Sequence, residues 1–513
     1  MHAFFADSRA QRTMQVQATS IKHRLYAFAL VALSLVSATH AANPLIPAGD
    51  GSLRHDIQLL ADAGIVRGPV TSWPLAWGPI LADINRSDRD RQLTSALAAA
   101  LARVRQRAAW ETRVGELQYR AGLAAAESPT RIRPFAATPR DSGEVTAGFS
   151  WIGDRFSIEL NGQAASSPDD GEEFRADGSL IAVTLGNWSI AASTLDRWWG
   201  PGWDGSLILS NNARPIPALT IDRTFTDAFA TKWLSWIGPW DVSVLFGQME
   251  SEREVPEAQL FGFRFNFRPI PSLEIGLSRT AQWCGEGRPC DLGTFGDLLI
   301  GRDNRGGSGI DIDNEPGNQL AGLDFRWAFN AYEAPLAVYG QFIGEDEAGG
   351  FPSKFLGQGG IEASGTWRDR WSWRGFGELA ITKCRFYQSD ADYNCAYNHS
   401  IYRTGYRYRG RSVGHGSDND SRIFSTGLFL VNEADTQWQL LARFGELNRG
   451  GAPDARHTLT ATPQDIASLD LSHSRVFRFG VIDIGAGVER IDDSVSGATD
   501  NDVRAFIQWR TSR

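Results

Sequence analysis

The 513-residue chain is poor in methionine, with 3, and in cysteine, with 4, and beyond its first forty residues no stretch approaches twenty consecutive apolar residues. That last absence excludes a membrane-spanning helix from the body of the chain, so any passage through a bilayer has to be made by strands closed into a barrel. Also missing are the G-x-S-x-G elbow, the H-E-x-x-H helix and the phosphate-binding G-x-x-x-x-G-K loop, which leaves hydrolase and nucleotide-hydrolysing readings without an anchor. No C-x2-C pair is joined by a second pair or by histidines, so a zinc site is not expected. Basic residues are outnumbered, 51 Lys and Arg against 60 Asp and Glu, for a net charge of -9. Nucleic-acid binding wants the opposite excess, and an acidic ligand has to be met by local arginines.

Residues 1–41 read as a secretory signal peptide. Lys22, His23 and Arg24 precede an apolar run over 25–36, and small residues follow, with cleavage after Ala38 or Ala41 and Met14 as an alternative start. This leader carries Arg9, Arg12, Lys22 and Arg24 against Asp7, so taking its +3 from -9 leaves -12 on the rest. Export permits disulfides. Cys284 and Cys290 bracket one short loop, Cys384 and Cys395 a longer one, and two local bridges are expected.

Over 42–112 the apolar period is helical. Leu53, Ile57 and Leu60 share a face; Ser87 with Asp90 makes a capping box; Leu93, Leu97, Leu101 and Val104 form a stripe, with breaks at Trp73-Pro74 and Gly78-Pro79. These spacings predict a small helical domain, placed on the periplasmic side. From 113 to 513 the period is two. Phe261, Phe263, Phe265 and Phe267 alternate with Gly262, Arg264, Asn266 and Arg268, and Trp438, Leu440, Ala442 and Phe444 with Gln439 and Arg443. One face is apolar and aromatic, the other polar. Strands of about ten residues recurring over this length predict an all-β transmembrane barrel of about 18 antiparallel strands, closed by Val503, Ala505, Ile507 and Trp509.

Residues 196–223 interrupt that pattern. Trp198, Trp199 and Trp203 flank Gly200, Pro201 and Gly202, and Asp204, Asn211, Asn212 and Arg214 follow. Gly-Pro-Gly forces a turn. The rings either pack beneath a loop or sit in an interfacial belt, or they offer stacking faces to sugars, with the amides and guanidinium reading hydroxyls. Two further loops stand out. Asp311, Asp313 and Glu315 suggest calcium but lack the EF-hand spacing. Between Cys384 and His415, Tyr402, Tyr406 and Tyr408 have one strand parity and Arg403, Arg407 and Arg409 the other. That predicts either a tyrosine belt at the lipid interface with arginines in the lumen, or a row of arginines that holds sugar carboxylates by forked hydrogen bonds. His399 and His415 read as structural hydrogen-bonding groups, and no pair among Asp196, Asp204 and Asp222 is selected for glycosidic chemistry.

The stretch 196–223, the pair Asp303-Asn304, the run 315–322 and the segment YNHSIYRTGYRYRGRSVGHG at 397–416 resemble the capsule assembly protein Wzi family, and the likeness extends through much of the chain after the leader. The resemblance implies an eighteen-stranded outer-membrane barrel with a periplasmic helical bundle, largely closed to solutes, that binds and anchors capsular or exopolysaccharide at the cell surface. On that reading Trp198, Trp199 and Trp203 are stacking surfaces, Asp204, Asn211, Asn212 and Arg214 hydroxyl or carboxylate partners, and Arg403, Arg407 and Arg409 contacts for an acidic polymer. The partners expected are that polysaccharide, outer-membrane lipid and the polysaccharide export machinery. No cofactor, metal or nucleic acid is expected, nor catalysis. A sugar- or anion-selective porin is the alternative.

Overall fold

The computed structural model describes residues 42–87, 93–299, 317–331, 334–348, 351–368, 370–389, 392–450 and 456–511. The leader, Asp90 and the acidic loop with Asp311, Asp313 and Glu315 lie outside the described residues. Eighteen antiparallel strands close into a ring in chain order, from Leu117–Glu127 to Thr499–Arg510, with a two-residue strand at Phe174–Arg175 inserted. The seam is made by the last strand on the first, Ala505 opposite Glu127 through Arg510 opposite Gly122.

The strand alternation sorts side chains as the period of two predicts. Leu123, Val145, Phe263, Ile361, Leu440 and Ile507 are exposed outside, while Arg264, Arg374, Glu378 and Arg443 are buried inside. Two of the outward phenylalanines are covered. Phe261 lies under Phe295 of a short helix (Leu292–Leu299) stapled by the Cys284–Cys290 bridge, and Phe267 lies under Trp236 of the 224–239 connection. One end of the ring has tight turns, such as those after Leu185, Ile270 and Phe477; the other carries the long connections 194–217 and 382–421.

Three helices precede the ring: α1 (Gly51–Asp62), α2 (Trp77–Arg86) and α3 (Ser95–Glu111). The carboxylate of Asp50 caps α1 by accepting from Leu53 N at 3.1 Å. Burial works against that charge, but Arg107, Arg510 and the Leu53 N–H hold the carboxyl down to about 2. α3 starts after Thr94, whose side chain accepts from Leu97 N, and Ser87 ends α2; Asp90 of the expected capping box lies outside the described residues. Tight capping thus follows the residue nearest the apolar stripe.

α1, α2 and α3 sit at the short-turn end, and α1 enters the lumen. Ser52 through Ala61 are buried, including charged Arg54 and Asp56. His55 Nε2 meets Ser372 Oγ at 2.7 Å, and Arg326 on the wall donates to Asp62 at 2.5 and 2.9 Å. Arg103 of α3 forks onto Asp56 at 2.6 and 2.8 Å and also donates to Asn432 O in a short turn at 2.9 Å. The polar inner wall and the polar face of α1 are therefore matched group to group, which is how a helix so charged tolerates burial.

Candidate functional site

The connection 194–217 leaves the wall at the long-loop end and folds down into the lumen. Gly200 has φ 140°, a backbone region that favours glycine, and a Cβ on Gly205 would lie 2.1 Å from the His415 ring. The descent needs these residues. Trp198 and Trp199 are 0% and 1% exposed and face opposite ways. Trp198 pairs with Trp73 in a two-residue antiparallel ladder and packs edge-on to Phe135, joining the core built by α1, α2 and α3. Trp199 joins a second core with Leu207, Ile208, Leu260, Tyr397 and Tyr406. Burying each ring contributes about 4–6 kcal/mol from roughly 150–250 Å² of surface.

Polar side chains of the inner wall then take up the backbone of this lumenal segment. The two oxygens of Glu378 accept from Trp203 N at 2.9 Å and Gly205 N at 3.0 Å, and one also accepts from Tyr339 OH at 2.8 Å. Gln341 accepts from Leu207 N at 2.6 Å and donates to Trp199 O at 2.9 Å; Gln358 donates to Gly205 O at 2.8 Å. Trp203 Nε1 donates to Glu362, which Arg326 and Arg374 also hold. The Arg54 guanidinium lies 4.1 Å from the Trp203 ring and 4.3 Å from Phe135, and it donates to Pro201 O at 2.8 Å. Asp204 is forked by Arg443. Asn211 and Asn212 donate to Phe135 O and Ser412 O at 2.9 and 3.0 Å, and Arg214 forks Asp177 and reaches Asp170 at 2.6 Å. All seven of these sequence-selected residues are thus engaged by protein; of the alternatives for the tryptophans, packing beneath a loop is the arrangement found.

The 382–421 connection forms the upper half of the filling. A strand through 402–409 does not form. Arg407–Tyr408 and Arg411–Ser412 make a two-residue hairpin of their own, and the tyrosines face the interior instead of lipid. The reason is hydrogen bonding. Tyr397 OH donates to Leu207 O and Tyr406 OH to Ile208 O, both at 2.8 Å, so these two phenols satisfy carbonyls of the lumenal segment, and Tyr402 OH donates at 3.1 Å to Cys284 O of a neighbouring connection. Cys384 and Cys395 are bonded, Cα–Cα 5.9 Å. The arginines separate. Arg407 is buried in a fork on Asp418 at 2.8 Å on both oxygens; burial opposes the Asp418 charge, but the guanidinium holds this carboxyl below its ordinary range. Arg403 is 67% exposed on its side chain, 3.5 Å from Glu254. Arg409 meets half-exposed Glu172 at 2.7 Å and Arg411 meets exposed Asp169 at 3.0 Å.

The mouth at the long-loop end therefore carries exposed ion pairs whose carboxylates a ligand carboxylate can replace. Beneath it the lumen is filled. Sequence reasoning missed the wall residues that hold the filling, Tyr339, Gln341, Gln358, Glu362, Glu378 and Arg374, whose one visible signal is a polar residue at inward parity. Among the described residues no group of three or more His, Cys, Asp or Glu is arranged to hold a metal ion.

Comparison with known proteins agrees with this architecture. The family described as capsule assembly protein Wzi matches residues 115–503. A Klebsiella pneumoniae protein, an uncharacterized 55.8 kDa protein in the cps region, is 34% identical over 360 residues, 69% of each chain. The solved structure of Escherichia coli Wzi, an outer-membrane protein involved in group 1 capsule assembly and a carbohydrate-binding β-barrel, is 26% identical with TM-score 0.79, covering 91% of this chain and 99% of that one.

Proposed function

The chain belongs to the capsule assembly protein Wzi family, and from that premise we propose that it is an outer-membrane lectin that holds capsular or related polysaccharide at the cell surface. The observation that carries this reading is the filled lumen. α1 and the following segment 63–76 from one end and 196–216 with 382–421 from the other meet across Arg54 and Pro201 and across Trp73 and Trp198, so the barrel is built to present a surface, not to pass solutes.

Short turns face the periplasm in barrels of this kind. On that orientation residues 42–112 form a helical domain at the periplasmic end with α1 set into the lumen, 113–513 form the barrel, and the long connections face outward. The polymer is acidic in this reading: its carboxylates engage Arg403, Arg409 and Arg411, which are exposed or half-exposed and need only exchange Glu254, Glu172 and Asp169. The outer faces of α2 and α3 are then the surface offered to polysaccharide export machinery. In this reading the protein binds and does not turn over its ligand; among the inner carboxylates Glu362 and Asp204 are held by arginines and Glu378 by backbone amides.

The test is the ratio of cell-attached to released polysaccharide with and without the gene, at matched total synthesis. Retention predicts polymer shed into the medium on deletion. Unchanged attachment, with steady conductance of the purified protein in planar bilayers, overturns it in favour of a pore.

A further inference from the structure

Exposed tryptophans mark the lipid boundary at the short-turn end of the wall. Trp188 and Trp367 are the first and last residues of their strands there, and Trp438 is the second of its strand; all three are exposed on the outer face. Rings at that level form the belt that sits among lipid headgroups. Trp240 begins its strand at the same end.

One connection at this end is out of scale. The others between wall strands run two to four residues, but Ala218–Arg223 and Trp240–Gln248 are joined through 224–239. That segment folds back over the outside of the wall. Phe229 stacks on Trp240 with centroids 4.6 Å apart and planes at 12°, and Trp236 stands edge-on to Phe267 at 6.2 Å. Trp240 and Phe267 are cross-strand partners, so both have the outward parity of exposed Phe263. Much ring surface stays open: Trp233 is 74% exposed and Trp236 62%, with exposed Lys232 beside them.

Height points the same way. The two strands that the segment joins have six and nine residues. At about 3.3 Å per residue and a tilt of about 40°, nine residues cover roughly 20 Å of height, less than the apolar band of about 25 Å that such a barrel presents. In this sector the band is completed by residues outside the strands, and 224–239 supplies them at the short-turn end.

We propose that 224–239 is a membrane foot lying in the headgroup region of the periplasmic leaflet, with Trp233 and Trp236 sunk at the top of the acyl chains and the Lys232 ammonium reaching lipid phosphates. Its partner is phospholipid. Arg86 of α2 meets Asp227 of the segment at 3.3 Å, and a Cβ on Gly68 would lie 2.5 Å from Thr226 Oγ1, so the foot also abuts the helical domain. The proposal uses the orientation of the barrel given above and is independent of what the loops at the other end bind.

The four cysteines are paired, so one added cysteine can carry a fluorophore in the full-length protein. The labelled variants are Ser235→Cys in the foot and Val495→Cys at the tip of a long-end hairpin, both exposed positions, reconstituted into vesicles of phosphatidylethanolamine and phosphatidylglycerol. Lipid carrying a nitroxide high on its acyl chain should quench the label on Ser235→Cys several-fold more than that on Val495→Cys, and iodide on both sides of the membrane should do the reverse. Adding Trp233→Ser and Trp236→Ser should cut the lipid quenching at Ser235→Cys several-fold. Trp233→Ser alone gives a smaller loss in the same direction and serves where uncovering Phe267 impairs folding. Lipid quenching at Ser235→Cys no stronger than at Val495→Cys overturns the proposal and leaves the rings to a periplasmic protein. Strong lipid quenching that survives both ring substitutions overturns the part given to the tryptophans.

Discussion

Asp204 of the lumenal segment and Arg443 of the wall meet in a fork at 2.6 and 3.0 Å, with side chains 1% and 2% exposed, across 239 positions of sequence. Neither charge has water to fall back on. Asp204→Ala is expected to cost about 3 kcal/mol, because the buried guanidinium is left with only Asp470 at 3.6 Å to offset it, and Asp204→Leu with Arg443→Met together is expected to cost less than either half alone. Thermal unfolding in detergent measures both. The single variant should also begin to conduct in planar bilayers as the filling loosens.

Trp199→Ala removes a ring from a dry core and should destabilise by about 3–5 kcal/mol. Polysaccharide binding per folded molecule should stay at the wild-type level, since the ring is 1% exposed. Sedimentation with polymer, normalised to the fraction that resists proteolysis, separates the two effects. A loss of binding in fully folded protein would restore the tryptophan as a stacking surface.

The arginines at the mouth should behave in the opposite way. Arg403→Glu and Arg409→Glu leave exposed or half-exposed pairs worth about 0–1 kcal/mol, so melting should barely move. Affinity for an acidic polymer should fall several-fold for each, and the remaining binding should become less salt-sensitive. Arg407→Glu serves as the contrast: it breaks the buried pair with Asp418 and should impair folding first.

His415 supplies a pH signature. Its Nδ1 accepts from Ser417 N at 3.1 Å, and burial beside Arg443 pushes the imidazole down to about 4, against a pull upward from Asp204. Between about 4 and the ordinary 6.5 the unfolded chain holds a proton that the folded chain lacks, so stability should fall as pH drops through that window. His415→Gln should flatten this part of a stability profile, read by thermal unfolding at steps of pH.

The wall was legible because lipid outside and charge inside impose a period of two that propensity cannot mimic. Phe261 to Phe267 alternate with Arg264 and Arg268 in the sequence and across the sheet alike. Helix positions were legible for the same reason, through Leu97, Leu101 and Val104. What could not be read was partnership at long range. Trp198 and Trp199 look alike in sequence, yet one completes a core with Trp73 and the other with Tyr397 and Tyr406. The parity of Tyr402, Tyr406 and Tyr408 suggested a strand, but the pairing formed there is the two-residue hairpin at Arg407–Tyr408, and the carbonyls of Cys284 and Ile208 took the hydroxyls of Tyr402 and Tyr406. Nor does residue type distinguish Arg407 from Arg409, since only the position of Asp418 against that of Glu172 decides which stays within reach of a ligand.

The ladder between Trp73 and Trp198 joins the filling that enters from one end of the barrel to the filling that enters from the other. A close-packed interior transmits strain instead of absorbing it. Drag on the surface loops is therefore passed from Tyr397 to the backbone at Leu207, through Trp198 to Trp73, and on to the helices at the far end. A hydrated polymer pulled by flowing medium loads the helical base as well as the wall, and the barrel works as a rivet with a solid shank.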